Sequence, residues 1–200
     1  TIDLYEKTDP ITPIKWGEVE TATLSFGHGL SISPMQMIEA GSLLFGENKN
    51  TAVTIKKRDS NYKNEKNNFI SVETKNILKE LMYENILFGT GKKAKISGYE
   101  IGGKTATGEK SSNGKYDKQK LVSSFLAIFP VKKPKYISIV LFDEPNNKDN
   151  IQSLTGGVTD APTTAKILKR ILPILGLPKK INKGQEIIVT QKDKLNLASY

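Results

Sequence analysis

The chain has 200 residues, a formal charge of +9, 37% hydrophobic residues and no cysteine. That length suits one domain with a real core, and the apolar fraction excludes a disordered chain. The absence of cysteine excludes a disulfide scaffold, a thiolate nucleophile and a zinc knuckle, and a single histidine, His28, is a poor start for a His-based dyad or metal site. No stretch approaches the ~20 apolar residues of a membrane helix, and the opening TIDLYEKTDP is not a signal peptide. The sequence starts without methionine and is expected to belong to something longer.

The 30 basic residues include only two arginines, Arg58 and Arg170. The lysines travel with asparagines (GENKN, RDSNYKNEKNN, PNNKDN), the pattern of solvated loops rather than of a base-reading surface. No nucleic-acid partner is expected.

In chain order, residues 1–29 have no sustained period and hold Pro10, Pro13, Gly17, Gly27 and Gly29, which predicts mostly loop. Ser33-Pro34 predicts a helix start, with Met37, Ile38, Leu44 and Phe45 as a buried stripe and Gly46 as its end. An Asn/Lys loop follows over 47–68, with a short strand near 51–57. Ser71 caps a second helix whose Ile77, Leu78, Leu81, Met82 and Ile86 recur at helical spacing, until Gly89-Thr90-Gly91 breaks it.

Three strands are expected next: 96–107, 121–131 and 136–143, the last two joined by KKPK as an antiparallel meander. A final helix starts near Thr159-Asp160, carries Pro162 in its first turn and buries Ala165, Leu168, Ile171, Leu172 and Leu175. The tail from Lys179 to Tyr200 is polar apart from one IIV run. Helices, a meander and a helix on its face give an α+β layered domain. Trp16 and the phenylalanines at 125, 129 and 142 occupy core-like positions.

Residues 98–105 (GYEIGGKT) fit the P-loop pattern, and ISIVLFDE supplies an apolar strand ending in Asp143-Glu144, as a Walker B would. A P-loop needs its lysine and threonine to open a helix, yet ATGEKSSNGKYDKQK has three breakers and no apolar stripe. The nucleotide-binding reading therefore stands as a remote alternative, which a hairpin over 106–120 would discard. A second reading places Lys104 and Thr105 on a strand facing a carboxylate, the ammonium giving charge and the hydroxyl a directed hydrogen bond. Serine acyl-transfer enzymes that recognise penicillin use a Lys-Thr-Gly strand in this way, together with a Ser-x-x-Lys and a Ser-x-Asn.

FGHGLSISPMQM (26–37), GTGKKAKISGYEIGGKTATGEK (89–110), GKYDKQKLVSSFLAIFPVKKPKY (114–136) and VLFDEP (140–145) occur in one order. Together they resemble the C-terminal half of the transpeptidase domain of class B penicillin-binding proteins, most of all the septal peptidoglycan D,D-transpeptidase of cell division. GGVTDAPTTAKILKRILPILGLP (156–178) resembles that family's closing helix.

The resemblance implies a penicillin-recognising serine transpeptidase/β-lactamase-like fold, present in part, over residues 1–178, with 179–200 as a tail. It makes Lys104 and Thr105 the first two residues of the Lys-Thr-Gly strand. Thr105 would hydrogen-bond the terminal carboxylate of a donor stem peptide or of penicillin. Lys104 would supply positive potential and relay a proton to the leaving amine. Thr107 would lend its backbone N–H to the oxyanion hole. Ala106 stands where the family has glycine, its methyl expected to point away from the cleft.

The nucleophilic serine belongs upstream of Thr1. Ser60-Asn-Tyr-Lys63 and Ser111-Ser-Asn113 imitate the two missing motifs, but the first lies in a polar loop and the second in a turn after Lys104. The chain alone is thus expected to be inactive. The implied partners are peptidoglycan stem peptides, β-lactams and divisome membrane proteins, with no cofactor and no metal. The whole protein would be anchored in the inner membrane with its catalytic domain on the periplasmic side. An elongation-specific relative, a serine β-lactamase and a non-catalytic module of the same fold remain alternatives. His28, in the FGHG turn, is expected to be structural.

Overall fold

A computed structural model describes residues 8–46, 53–55, 57, 70–112, 115–146 and 154–180. In chain order it contains α1 (Glu18–Ser25), α2 (Pro34–Phe45), α3 (Val72–Leu87), a 3-10 turn (Lys92–Ala94), β1 (Gly102–Ser112), β2 (Lys115–Phe129), β3 (Tyr136–Asp143) and α4 (Asp160–Ile174). The strands form an antiparallel sheet in the order β1-β2-β3. The expected α+β meander is the fold.

Strand alternation sorts β2 into two cores. Phe125, Ala127 and Phe129 point to one face, where Ala161, Ala165, Leu168 and Leu172 of α4 cover them. Ile128 and Leu126 point to the other, against Phe45 of α2 and Met82 of α3. Phe125, Leu168 and Leu172 are wholly buried. The two helices on the second face begin as their sequence dictates. Ser33 Oγ accepts from Gln36 N while Gln36 Oε1 accepts from Ser33 N, a reciprocal cap with Pro34 at the first helical position. Ser71 Oγ accepts from Thr74 N at the start of α3.

Several expectations are corrected. Residues 18–25 are helical, not loop: Glu20 accepts from Gly17 N to cap a helix with no buried residue, so no apolar period marks it. Met37, Ile77 and Leu81 are exposed rather than buried. The buried side of α3 instead includes Lys75, whose ammonium donates to Gly46 O at the C-terminal end of α2 (3.2 Å), where the helix dipole favours a cation. Trp16 is 65% exposed, whereas Phe125 and Phe129 are buried and Phe142 is half-buried.

The first strand begins at Gly102 rather than Ile96, because Gly98 turns the chain at a positive φ of 83°. Ile96 and Ile101 are buried by packing, without strand pairing. The same strand and its partner run further than their apolar stretches. Polar residues 110–112 pair with 115–117 beyond a register shift at Glu109/Lys110. Of the strand expected near 51–57, residues 53–55 and 57 are not strand, and the rest lies outside the described residues, as do Ser60 and Lys63. Lys180, in the segment expected to be a tail, packs back on the domain: its N–H donates to Gly98 O (2.8 Å) and its ammonium pairs with Glu100 (2.9 Å).

Candidate functional site

The lysine and threonines singled out in the sequence lie on β1, the edge strand of the sheet. Register fixes where each points. Thr105 pairs with Phe125 and so shares the α4 face, together with Thr107 two residues on. Lys104 pairs with Leu126 and shares the α2/α3 face with Ala106. The Ala106 methyl therefore points away from Thr105 and Thr107, as expected.

The backbone of β1 alternates as well. Gly103 O accepts from Asn85 Nδ2 (2.8 Å) and Thr105 O accepts from Lys104 Nζ (2.7 Å), so the odd-numbered residues turn their polar groups to the open edge. By the same alternation the Thr107 N–H faces that edge, away from β2. Lys104 itself is exposed and reaches round to the edge through its Nζ. It reaches the same edge as the threonine amides without lining the cleft into which their side chains point.

That cleft has a volume of about 500 Å³ and is lined by Gly89, Thr90, Lys92, Lys93, Thr105, Thr107, Thr155, Gly157 and Val158. Four threonines and two lysines give it donors and positive charge suited to an acceptor-only anion such as a carboxylate. Thr105 Oγ1 lies 2.8 Å from Thr90 Oγ1, and Thr90 Oγ1 donates to Asn85 Oδ1 (3.3 Å). On the other side, Gly156 N donates to Thr107 Oγ1 (3.1 Å).

Gly156 explains how the strand tolerates a close neighbour. A Cβ there would meet Ser124 O at 2.6 Å and Ala106 O at 2.8 Å, so the loop before α4 rests directly on the backbone of β1 and β2. Sequence reasoning missed Asn85, Thr90, Thr155 and the Gly156-Gly157 pair as parts of this site. Gly89-Thr90-Gly91 reads simply as a helix end, and only the fold shows the loop lying against Thr105.

The other candidates lie elsewhere. Residues 106–112 are strand and 115–120 continue in β2, so no helix follows Lys104-Thr105 and the P-loop reading is discarded. Asp143 and Glu144, the apparent Walker B acids, instead pair with Lys110 at 2.7 and 2.9 Å. The hydrogen bonds that the Lys110 ammonium donates to Asp143 and then to Glu144 raise its pKa above the ordinary lysine value of 10.5. Ser111 lies near the end of β1, and its side chain lies outside the described residues. The Nε2 of His28 lies 3.2 Å from Tyr116 Oη, and its ring stacks with Phe26. Among the described residues no cluster of three His, Asp or Glu side chains is arranged to hold a metal ion.

A family model described as penicillin binding protein transpeptidase domain matches residues 1–169. A probable peptidoglycan D,D-transpeptidase FtsI of Caulobacter vibrioides is 35% identical over 189 residues, covering 90% of this chain and 32% of that protein. Stage V sporulation protein D of Bacillus subtilis is 33% identical over 196 residues, covering 90% of this chain and 29% of its own length. The chain thus spans about a third of the curated relatives it matches. Among solved structures, the transpeptidase domain of Burkholderia pseudomallei penicillin-binding protein 3 superposes with a TM-score of 0.72 at 27% identity, covering 84% of this chain and 50% of that one. Penicillin binding protein 3 of Mycobacterium tuberculosis, complexed with ampicillin, shares the fold at a TM-score of 0.69 and 21% identity, covering 87% of this chain and 42% of that one.

Proposed function

The chain belongs to the penicillin-binding protein transpeptidase family, and from that premise we propose that it forms the substrate-cradling half of a serine D,D-transpeptidase active site. The observation that carries this reading is the β1 edge: threonine hydroxyls in a hydroxyl-rich cleft, with the odd-numbered backbone groups turned outward beside a lysine ammonium.

In this reading Thr105 receives the terminal carboxylate of a donor stem peptide, or the equivalent carboxylate of penicillin. The Thr107 N–H supplies one of two oxyanion donors, where negative charge develops on the attacked carbonyl. Lys104 supplies positive potential at the edge and helps return a proton to the leaving amine. Its ammonium now sits on Thr105 O, and a rotation of its flexible stem redirects it without moving the strand.

The nucleophile is a serine upstream of Thr1. Its hydroxyl oxygen bonds to the donor carbonyl carbon as the bond to the leaving amine breaks, and an acceptor amine then takes the acyl group, releasing the serine. The chain's domain portion ends near residue 178 and a tail follows. The whole protein cross-links peptidoglycan at the septum during division, a role supported by its likeness to the Caulobacter FtsI. It is anchored in the inner membrane, acts on the periplasmic side and works with other divisome membrane proteins. Among the described residues no helix is long and apolar enough to cross a membrane.

The test is acylation of the full-length protein by a labelled penicillin, with Thr105→Val beside it. Loss of the hydroxyl should lower acylation by about tenfold, the effect of one hydrogen bond to a charged group. Acylation at the wild-type rate in Thr105→Val would remove Thr105 from the site.

A further inference from the structure

We propose that Thr90 is a positioning residue for the substrate carboxylate, acting through Thr105, with Asn85 as the anchor that holds it in place; the inference rests on the role given to Thr105 above. The hydrogen-bond directions lead to it. Asn85 Nδ2 donates to Gly103 O (2.8 Å), which leaves Asn85 Oδ1 as an acceptor, and Thr90 donates to it (3.3 Å). A hydroxyl has one proton, so the 2.8 Å contact between Thr90 and Thr105 is donated by Thr105.

In this arrangement the chain of donors runs from Thr105 to Thr90 to Asn85. The single Thr105 proton is turned toward the loop. A carboxylate only accepts, so Thr105 can hold it only after that proton swings outward. The longer contact is the weak link: Thr90 can release Asn85 and turn its own proton to Thr105 Oγ1. The chain then runs from Thr90 to Thr105 to the carboxylate, each proton is used, and the anionic end polarises both hydroxyls. Only two hydroxyl rotations are needed, with no heavy-atom movement.

The packing fixes Thr90 from two sides. A Cβ at Gly91 would lie 2.9 Å from Asn85 Nδ2, so the loop is pressed against its anchor. A Cβ at Gly157 would lie 2.8 Å from Thr90 O and 3.8 Å from Thr105 Cγ2, so the loop before α4 roofs the hydroxyl pair.

The experiment compares benzylpenicillin with its methyl ester as acylating agents of the full-length protein. Thr90→Val, which keeps the shape and removes the hydroxyl, should lower acylation by benzylpenicillin about three- to tenfold. The same variant should change the ester rate by less than about twofold, and Thr90→Ser should restore the benzylpenicillin rate. Thr90→Ala, made in parallel, should also lower the preference for the carboxylate and serves if Thr90→Val does not fold. A merely structural role would lower both probes alike, and that result would overturn the inference. A wild-type protein with no preference for the carboxylate would overturn the Thr105 reading and this inference with it. A preference present in the wild type and unchanged in Thr90→Val and Thr90→Ala would overturn this inference alone.

Discussion

Replacing Gly156 by alanine tests whether the loop before α4 holds the cleft strand by direct backbone contact. The added methyl would sit 2.6 Å from Ser124 O and 2.8 Å from Ala106 O. Both neighbours are backbone atoms of paired strands, so neither can rotate aside, and the loop must lift. Forced overpacking of this kind costs about 1–3 kcal/mol. Lifting the loop also breaks the Gly156 N to Thr107 Oγ1 hydrogen bond, a further loss of about 0.5–1.5 kcal/mol. At about 2–4 °C per kcal/mol for a domain of this size, thermal unfolding followed by circular dichroism should shift down by about 5–15 °C. Gly108→Ala is the control on the same strand, because a Cβ there meets nothing within 4 Å and its φ is not positive. Equal midpoints for Gly156→Ala and the wild type would show that the loop does not rest on the strand in this way.

Further outcomes follow from the same structure. Leu168→Ala, at a wholly buried position between α4 and Phe125, should destabilise by about 2–5 kcal/mol, read from urea unfolding; a loss below about 1 kcal/mol would mean that α4 does not seal this core. Lys110, whose folded pKa is raised by Asp143 and Glu144, contributes stability below its unfolded pKa of 10.5 and loses it as the pH rises through the higher folded value. The urea midpoint should therefore fall at alkaline pH less steeply in Lys110→Met than in the wild type, and superimposable profiles would refute the pairing. Lys104→Ala should reduce acylation of the full-length protein more than tenfold, since a charge-assisted hydrogen bond contributes about 1.5–3 kcal/mol. A rate within about twofold of wild type would exclude Lys104.

Where local chemistry decides structure, the sequence was readable. Ser33-Pro34 and Ser71 start their helices, and YISIVLFD is a strand because its apolar residues serve both faces of a covered sheet. The strand position of Lys104 and Thr105 is legible from residue type and from the small residues around them. Legibility failed where partners distant in sequence decide. Polar residues 110–112 join a strand because 115–117 pair with them, and no apolar alternation announces that. Ile77 and Leu81 keep helical spacing with Met82 and Ile86, yet only the latter two face the sheet. Lys75 is buried because the end of α2 supplies a carbonyl for it, a contact between residues 29 apart. Thr90 and Gly156 belong to the site for the same reason: each is brought to β1 by a loop that periodicity cannot place.

In the proposed function this chain cradles the substrate of an acyl-transfer enzyme whose nucleophilic serine lies upstream of Thr1. Intact-mass spectrometry after incubation with excess penicillin tests it most directly, applied side by side to the isolated chain and to the full-length protein. The account predicts one hydroxylamine-labile penicillin adduct on the full-length protein, mapped to a serine before Thr1, and none on the isolated chain. A stoichiometric adduct on the isolated chain at Ser60 or Ser111, or no adduct on the full-length protein, would contradict it.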